Sequence, residues 1–213
     1  MKVELDWSKI VKLDIFIHPE MGYHGSNKRE RVMSETKTMS STKTTSTEQV
    51  RFLTVTAIGI ALVYVFTWLI NIRLPFAPQG GLIHLGNVPL FIFAILFGKK
   101  TGAIAGGVGM GLFDLLSGWT AWAPFTFVIV GCMGFVMGWI TEKKQGFQWY
   151  VVAMLAACAI KIGGYYIAEG IIYGNWITPV TSIPGNLLQI GTAAVIVLII
   201  IAPLKKVAAK LWN

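Results

Sequence analysis

Lysine and glutamate stand eight residues apart in "AIKIGGYYIAEGIIYGN", Ala159 to Asn175, inside an otherwise apolar run. A charge at membrane depth costs about 2.5–3.5 kcal/mol on insertion scales, so such residues mark a site by default. Lys161, Tyr165, Glu169 and Tyr173 recur every four residues. At about 100° per residue each step drifts only about 40°, so the four share one helical stripe. Downstream, Asn186 and Gln189 lie three apart and face together on a second helix. Asp114, His84, Asn87 and Gln79 sit near the same end, with Trp119, Trp122 and Trp176 in the neighbouring loops. These groups suit a small polar ligand: aromatic walls and a few fixed donors and acceptors. Structural readings stand beside that one. The tryptophans also fit an interface belt. Lys161 and Glu169 also fit an ion pair two turns apart. Asp114 also fits a loop backbone contact.

The frame that positions these residues is a membrane bundle. Of 213 residues, 54% are hydrophobic and 13% charged, about half the charged share of a soluble domain. Cys132 and Cys158 have no metal or redox spacing and read as buried apolar residues. No metal site is expected. Apolar segments fall near Val50–Ile70, Leu82–Phe97, Thr101–Ser117, Ala123–Ile140, Gln148–Tyr173 and Ile183–Leu204. They predict an all-α bundle of six transmembrane helices, the second and third short for a span of about 20 residues. The breaks carry turn chemistry: "RLPFAPQGG", "GKKTG", "SGWTAWAP", "TEKKQG" and "YGNWITPVTSIPGN". Pro184 suits the first turn of the last helix, with Ser182 as its cap.

Cations set the orientation. Lys28, Arg29, Arg31, Lys37, Lys43 and Arg51 precede the first helix, Lys99, Lys100, Lys143 and Lys144 fill alternate loops, and Lys205, Lys206 and Lys210 end the chain. The opposite loops hold Arg73. The bias places both termini in the cytoplasm. The net charge of +8 is then a topology signal, with anionic lipid as its natural partner and no nucleic acid. Residues 1–49 form a separate tail. Ser26–Gln49 is too poor in apolar residues to bury a core and is expected to be disordered. Lys2–Ile17 is mildly amphipathic, and the tail lacks the apolar core of a signal peptide.

Helix three carries "TGAIAGGVGMG" and helix four has Gly134 and Gly138, spacings that bring helix backbones close in lipid. Ala57 and Ala61 share a face of helix one, which serves either an internal contact or a docking face. No G-x-S-x-G, H-E-x-x-H or Walker motif is present, so the chain does not read as an enzyme. Inverted repeats are not evident, which disfavours a stand-alone secondary carrier. The polar groups converge on the outer half of the bundle, whereas an ion relay would need stations throughout.

The stretch "GLIHLGNVPLFIFAILFGKKTGAIAGGVGMGLFDLLSGW", followed by "APFTFVIVGCMGFVMGWI", resembles the substrate-binding S components of energy-coupling factor (ECF) vitamin transporters over residues 50–207. "KIGGYYIAEGIIYGNW" and "SIPGNLLQ" are similar to the hydroxymethylpyrimidine or pyridoxine branch of the riboflavin-type S components. The resemblance implies a multi-pass protein of the bacterial plasma membrane that captures a vitamin outside. It would then dock on a transmembrane T component carrying two cytoplasmic ATPases. Those partners would use ATP, and this chain would bind no cofactor. Ala57 and Ala61 match the family's A-x-x-x-A docking motif. Lys161, Tyr165, Glu169, Asn186 and Gln189 would line the vitamin site, with His84 near them and Trp119 or Trp122 closing it. Pyridoxine and hydroxymethylpyrimidine suit that chemistry, and riboflavin and pantothenate stay open.

Overall fold

A computed structural model describes residues 22–73 and 82–212. Its elements are α1 (Gly22–Leu69), β1 (Asn71–Arg73), β2 (Leu82–His84), α2 (Asn87–Leu116), α3 (Ala123–Lys143), α4 (Phe147–Tyr173), a 3-10 turn (Thr178–Ser182) and α5 (Ile183–Trp212). The chain divides into two compact units, Met1–Arg51 and Phe52–Asn213.

In the first unit the described backbone is helical from Gly22 onward. Ser26–Gln49 holds no proline and no internal glycine, and its lysines, arginines, glutamates and methionines are good helix formers. Poverty in apolar residues excludes a core but not a helix. Lys2–Ile17 lies outside the described residues.

The second unit is the membrane bundle. Among the described residues five helices are long and apolar enough to cross a membrane: Ser46–Leu69, Asn87–Leu116, Ala123–Lys143, Phe147–Tyr173 and Thr178–Lys210. Their outward faces are greasy, with Leu53 64% and Ile199 70% exposed. Such faces suit lipid, which is as apolar as leucine. The sequence separates Leu82–Phe97 from Thr101–Ser117, and that separation corresponds to a break inside α2. Gly98 has φ 85° and ψ −178°, a conformation that only glycine adopts without strain. The chain folds back there. Leu90 lies against Gly106, and a Cβ on Gly102 would come within 2.7 Å of the Ala94 Cβ.

The start of this element is a correction. Leu82–His84 is a strand rather than helix, paired antiparallel with Asn71–Arg73, with Asn71 opposite His84. Helix begins only at Asn87. Both triplets flank a connection rich in proline and glycine, which favours a hairpin over a helical start.

The small residues of helices three and four do what their spacing implies. A Cβ on Gly107 would sit 2.7 Å from the Phe127 carbonyl oxygen, and Gly134 meets Gly102 backbone to backbone. The helices therefore touch at their main chains. Behind them Phe91, Leu90, Met110, Met133, Met137 and Val130 form the dry centre.

The two ends of the bundle differ. At one, Lys99 and Glu142 pair at 2.9 Å, and Glu142 also accepts the Lys99 backbone N–H at 2.8 Å. Lys205 reaches Gln145 and, at 2.7 Å, the Tyr150 hydroxyl. Lys144 covers the Trp149 ring at 3.9 Å. The basic loops thus gather at one end of the bundle. At the other end lie His84, Trp119, Trp122 and Ser182.

Candidate ligand-binding site

That second end holds a cavity lined by His84, Asp114, Trp119, Trp122, Lys161, Tyr165, Glu169, Asn186 and Gln189. All eight residues expected to bind or enclose the ligand are among its walls, together with Asp114, which the sequence places near the same end. They come from the hairpin, α2, the α2–α3 loop, α4 and α5. Helical spacing explains α4: Lys161, Tyr165 and Glu169 fall on one face, and that face turns inward, leaving Lys161 1% and Glu169 3% exposed.

Each buried charge has a partner. Lys161 Nζ donates to Gln189 Oε1 at 2.9 Å and lies 5.4 Å from the centre of the Tyr165 ring. Asn87 Nδ2 donates to the same oxygen at 3.4 Å. An ammonium only donates, so it fixes which end of the Gln189 amide faces it. Glu169 Oε2 accepts from Ser182 Oγ at 2.8 Å. Lys161 and Glu169 therefore make no ion pair with each other; each bonds an uncharged side chain of the segment that follows α4. Ser182, read as a helix cap, instead donates to Glu169 and lies 2.9 Å from the Pro179 carbonyl oxygen. Its hydroxyl is spent on the neighbouring helix and the 3-10 turn.

His84 is 8% exposed, and its Nδ1 accepts the Gly86 backbone N–H at 3.3 Å. Burial, reinforced by the positive Lys161, holds its pKa well below the usual 6.5. The ring is neutral, and Nε2 carries its proton. Tyr165 and Thr126 share a hydroxyl–hydroxyl bond of 3.0 Å.

Aromatic rings form part of the walls. Trp119 and Trp122 meet edge to face with centroids 5.2 Å apart, and Trp122 meets Tyr173 in the same way at 5.8 Å. Trp176 takes no part in the cavity. It packs over Gly170 and against the Tyr166 ring, whose hydroxyl donates to the Trp176 carbonyl oxygen at 2.7 Å. Gln79 lies outside the described residues. Of the polar network, Thr126 carries no distinct signal in the sequence; Asn87 is placed near the same end, and Ser182 reads only as a helix cap. Asn87 is fully buried, and its Oδ1 has no partner among the described residues.

The space enclosed is small. The enclosed volume is about 50 Å3, below the roughly 300–1,000 Å3 of ligand sites. Ala57 and Ala61 lie elsewhere, on the exposed face of α1, while Gly59 between them turns inward against Phe93 and Ala105.

Residues 47–206 match the family model described as "ECF-type riboflavin transporter, S component". The chain is 29% identical over 143 residues to the "Thiamine precursor transporter HmpT" of Lactococcus lactis subsp. cremoris, covering 67% of this chain and 81% of that one. It is 30% identical over 103 residues to an "Uncharacterized protein in gap 3'region" of Pyrococcus woesei, covering 48% of this chain and 69% of the relative. A solved S component of a bacterial ECF transporter superposes with a TM-score of 0.61 at 19% identity, over 78% of this chain and 99% of that one, a likeness of fold. With a matching family model over most of its length and a mostly helical membrane fold, the chain belongs to the S components of the ECF-type riboflavin transporter family, multi-pass subunits of plasma-membrane importers.

Proposed function

We propose that this S component captures a single-ring heteroaromatic vitamin precursor, of the hydroxymethylpyrimidine type, in the outer cavity. The carrying observation is the lining of the cavity: buried hydrogen-bonding groups beside the Trp119 and Trp122 rings. The thiamine precursor transporter among its relatives points the same way. Pyridoxine is the second reading, because it is another single ring with hydroxymethyl groups.

Delivery requires docking. In this reading the bundle spans the membrane six times, with α2 entering and leaving around Gly98 and both termini in the cytoplasm. The break at Gly98 and the gathering of Lys99, Lys143, Lys144 and Lys205 at one end favour that topology. The exposed Ala57–Ala61 face then meets a transmembrane T component, which works with two cytoplasmic ATPases. ATP is spent by those subunits. The test is uptake of labelled hydroxymethylpyrimidine by vesicles holding this chain, the T component and both ATPases. ATP-dependent accumulation that needs this chain supports the proposal. Accumulation that is unchanged when this chain is omitted overturns it.

A further inference from the structure

The charges around the cavity do not balance. Lys161 brings one ammonium and directs it at Gln189 Oε1, 2.9 Å away, rather than at a carboxylate. Asp114 and Glu169 bring two carboxyl groups to the same walls. Among the described residues neither forms an ion pair, since the pair found there is Lys99–Glu142 at the far end. Glu169 is anchored through Oε2 by Ser182, and a carboxylate has about four acceptor positions, so most of its capacity is open. The other titratable groups sharing this space are His84 from the hairpin and, from the same helix as Glu169, Tyr165 and Tyr173. His84 adds no charge. An unpaired carboxylate removed from water is costly, and a ligand that brings a positive charge with N–H donors offsets that cost.

Resting on the capture reading, we propose that the ligand binds as a cation: an aminopyrimidine ring, protonated on the nitrogen beside its exocyclic amino group, presenting both N–H donors to the Glu169 carboxylate. The two parallel donors match the carboxylate fork as a guanidinium does. One ring-nitrogen–hydrogen bond forms with a proton drawn from solvent, and no other bond changes. The proton leaves with the ligand on release inside. A pyridine alcohol without the amino group lacks the paired donors, so the arrangement selects aminopyrimidines over pyridoxine.

The test is calorimetric titration of the purified full chain with 4-amino-5-hydroxymethyl-2-methylpyrimidine. It is done above the ring's own pKa, in buffers of different ionisation enthalpy. Wild type is expected to take up close to one proton per ligand, with affinity falling about tenfold per pH unit, the linkage slope for one proton. Glu169→Gln keeps the shape and an acceptor for Ser182. It is expected to abolish the uptake and weaken binding about 10- to 150-fold, the range of a hydrogen bond to a charged group. Tight binding with no proton uptake overturns the inference while leaving the capture reading intact. Uptake lost in Asp114→Asn but kept in Glu169→Gln overturns the assignment to Glu169. Absence of binding by this compound, with tight binding of another vitamin, overturns the inference and the choice of precursor together.

Discussion

Replacing Gln189 by leucine isolates what the buried lysine depends on. Lys161 is 1% exposed, and its Nζ reaches Gln189 Oε1 at 2.9 Å. A hydrogen bond to a charged group contributes about 1.5–3 kcal/mol, and a neutral one about 0.5–1.5 kcal/mol. The first figure applies to Lys161 and the lower end of the second to the longer contact from Asn87 at 3.4 Å. Leucine keeps most of the side-chain volume, so little cavity cost is added. Gln189→Leu should therefore destabilise the chain by about 2–4 kcal/mol. For chains of roughly this size each kcal/mol moves Tm by about 2–4 °C, so the shift is on the order of 10 °C. Removing both partners is far cheaper than removing one. Lys161→Met combined with Gln189→Leu should recover about 2 kcal/mol relative to the sum of the single variants. Tryptophan fluorescence during heating in detergent reads both quantities. A single variant as stable as wild type, or strictly additive singles, would refute the claim that Gln189 is the group that holds Lys161.

Four further outcomes are expected. Ala57→Trp should leave ligand affinity unchanged and abolish ATP-driven uptake, because Ala57 is on the exposed face of α1 and is not among the cavity walls; normal uptake removes that face as the docking surface. Trp122→Ala should cost about 1–3 kcal/mol of tertiary packing or ligand affinity, the sum of two edge-to-face contacts, checked by Tm and titration. Gly134→Val should prevent α2 and α3 from closing, since its side chain would meet the Gly102 backbone, while Gly163→Ala, with open space around it, should be neutral; size-exclusion profiles of the two variants decide this. Buried His84 makes the stability depend on pH. Its pKa is depressed in the fold, so the unfolded chain takes the proton first and stability falls as pH drops below about 6.5. His84→Gln should flatten that part of the pH–Tm curve.

Sequence alone exposes the site more fully than the fold around it. Lys161, Glu169, Asn186 and Gln189 stand out because polar groups in apolar helices are expensive, and each of them lines the cavity. Thr126 stays hidden because such residues occur in any helix, and Ser182 reads as a cap; only the folded chain brings them beside Tyr165 and Glu169. The hairpin is illegible for a different reason. Its strands have three residues each, too few to show alternation, and Leu82–His84 joins smoothly to the apolar run of α2. In the tail, low hydrophobicity speaks about burial and is silent about helix propensity. The pairing of Lys161 with Gln189 rather than Glu169 also escapes the sequence. Spacing along α4 puts lysine and glutamate on one stripe, but α5 supplies a nearer acceptor.

The central claim is that this chain alone captures its ligand in the outer cavity. Titration of the purified protein against single-ring vitamins and precursors, with no ATP and no partner subunit present, tests that most directly. Tight binding of hydroxymethylpyrimidine by wild type, strongly weakened in Glu169→Gln, is the expected result. Tight binding that is unaffected by substitutions at Lys161, Glu169 and Gln189 would contradict the claim, placing the ligand elsewhere on the bundle.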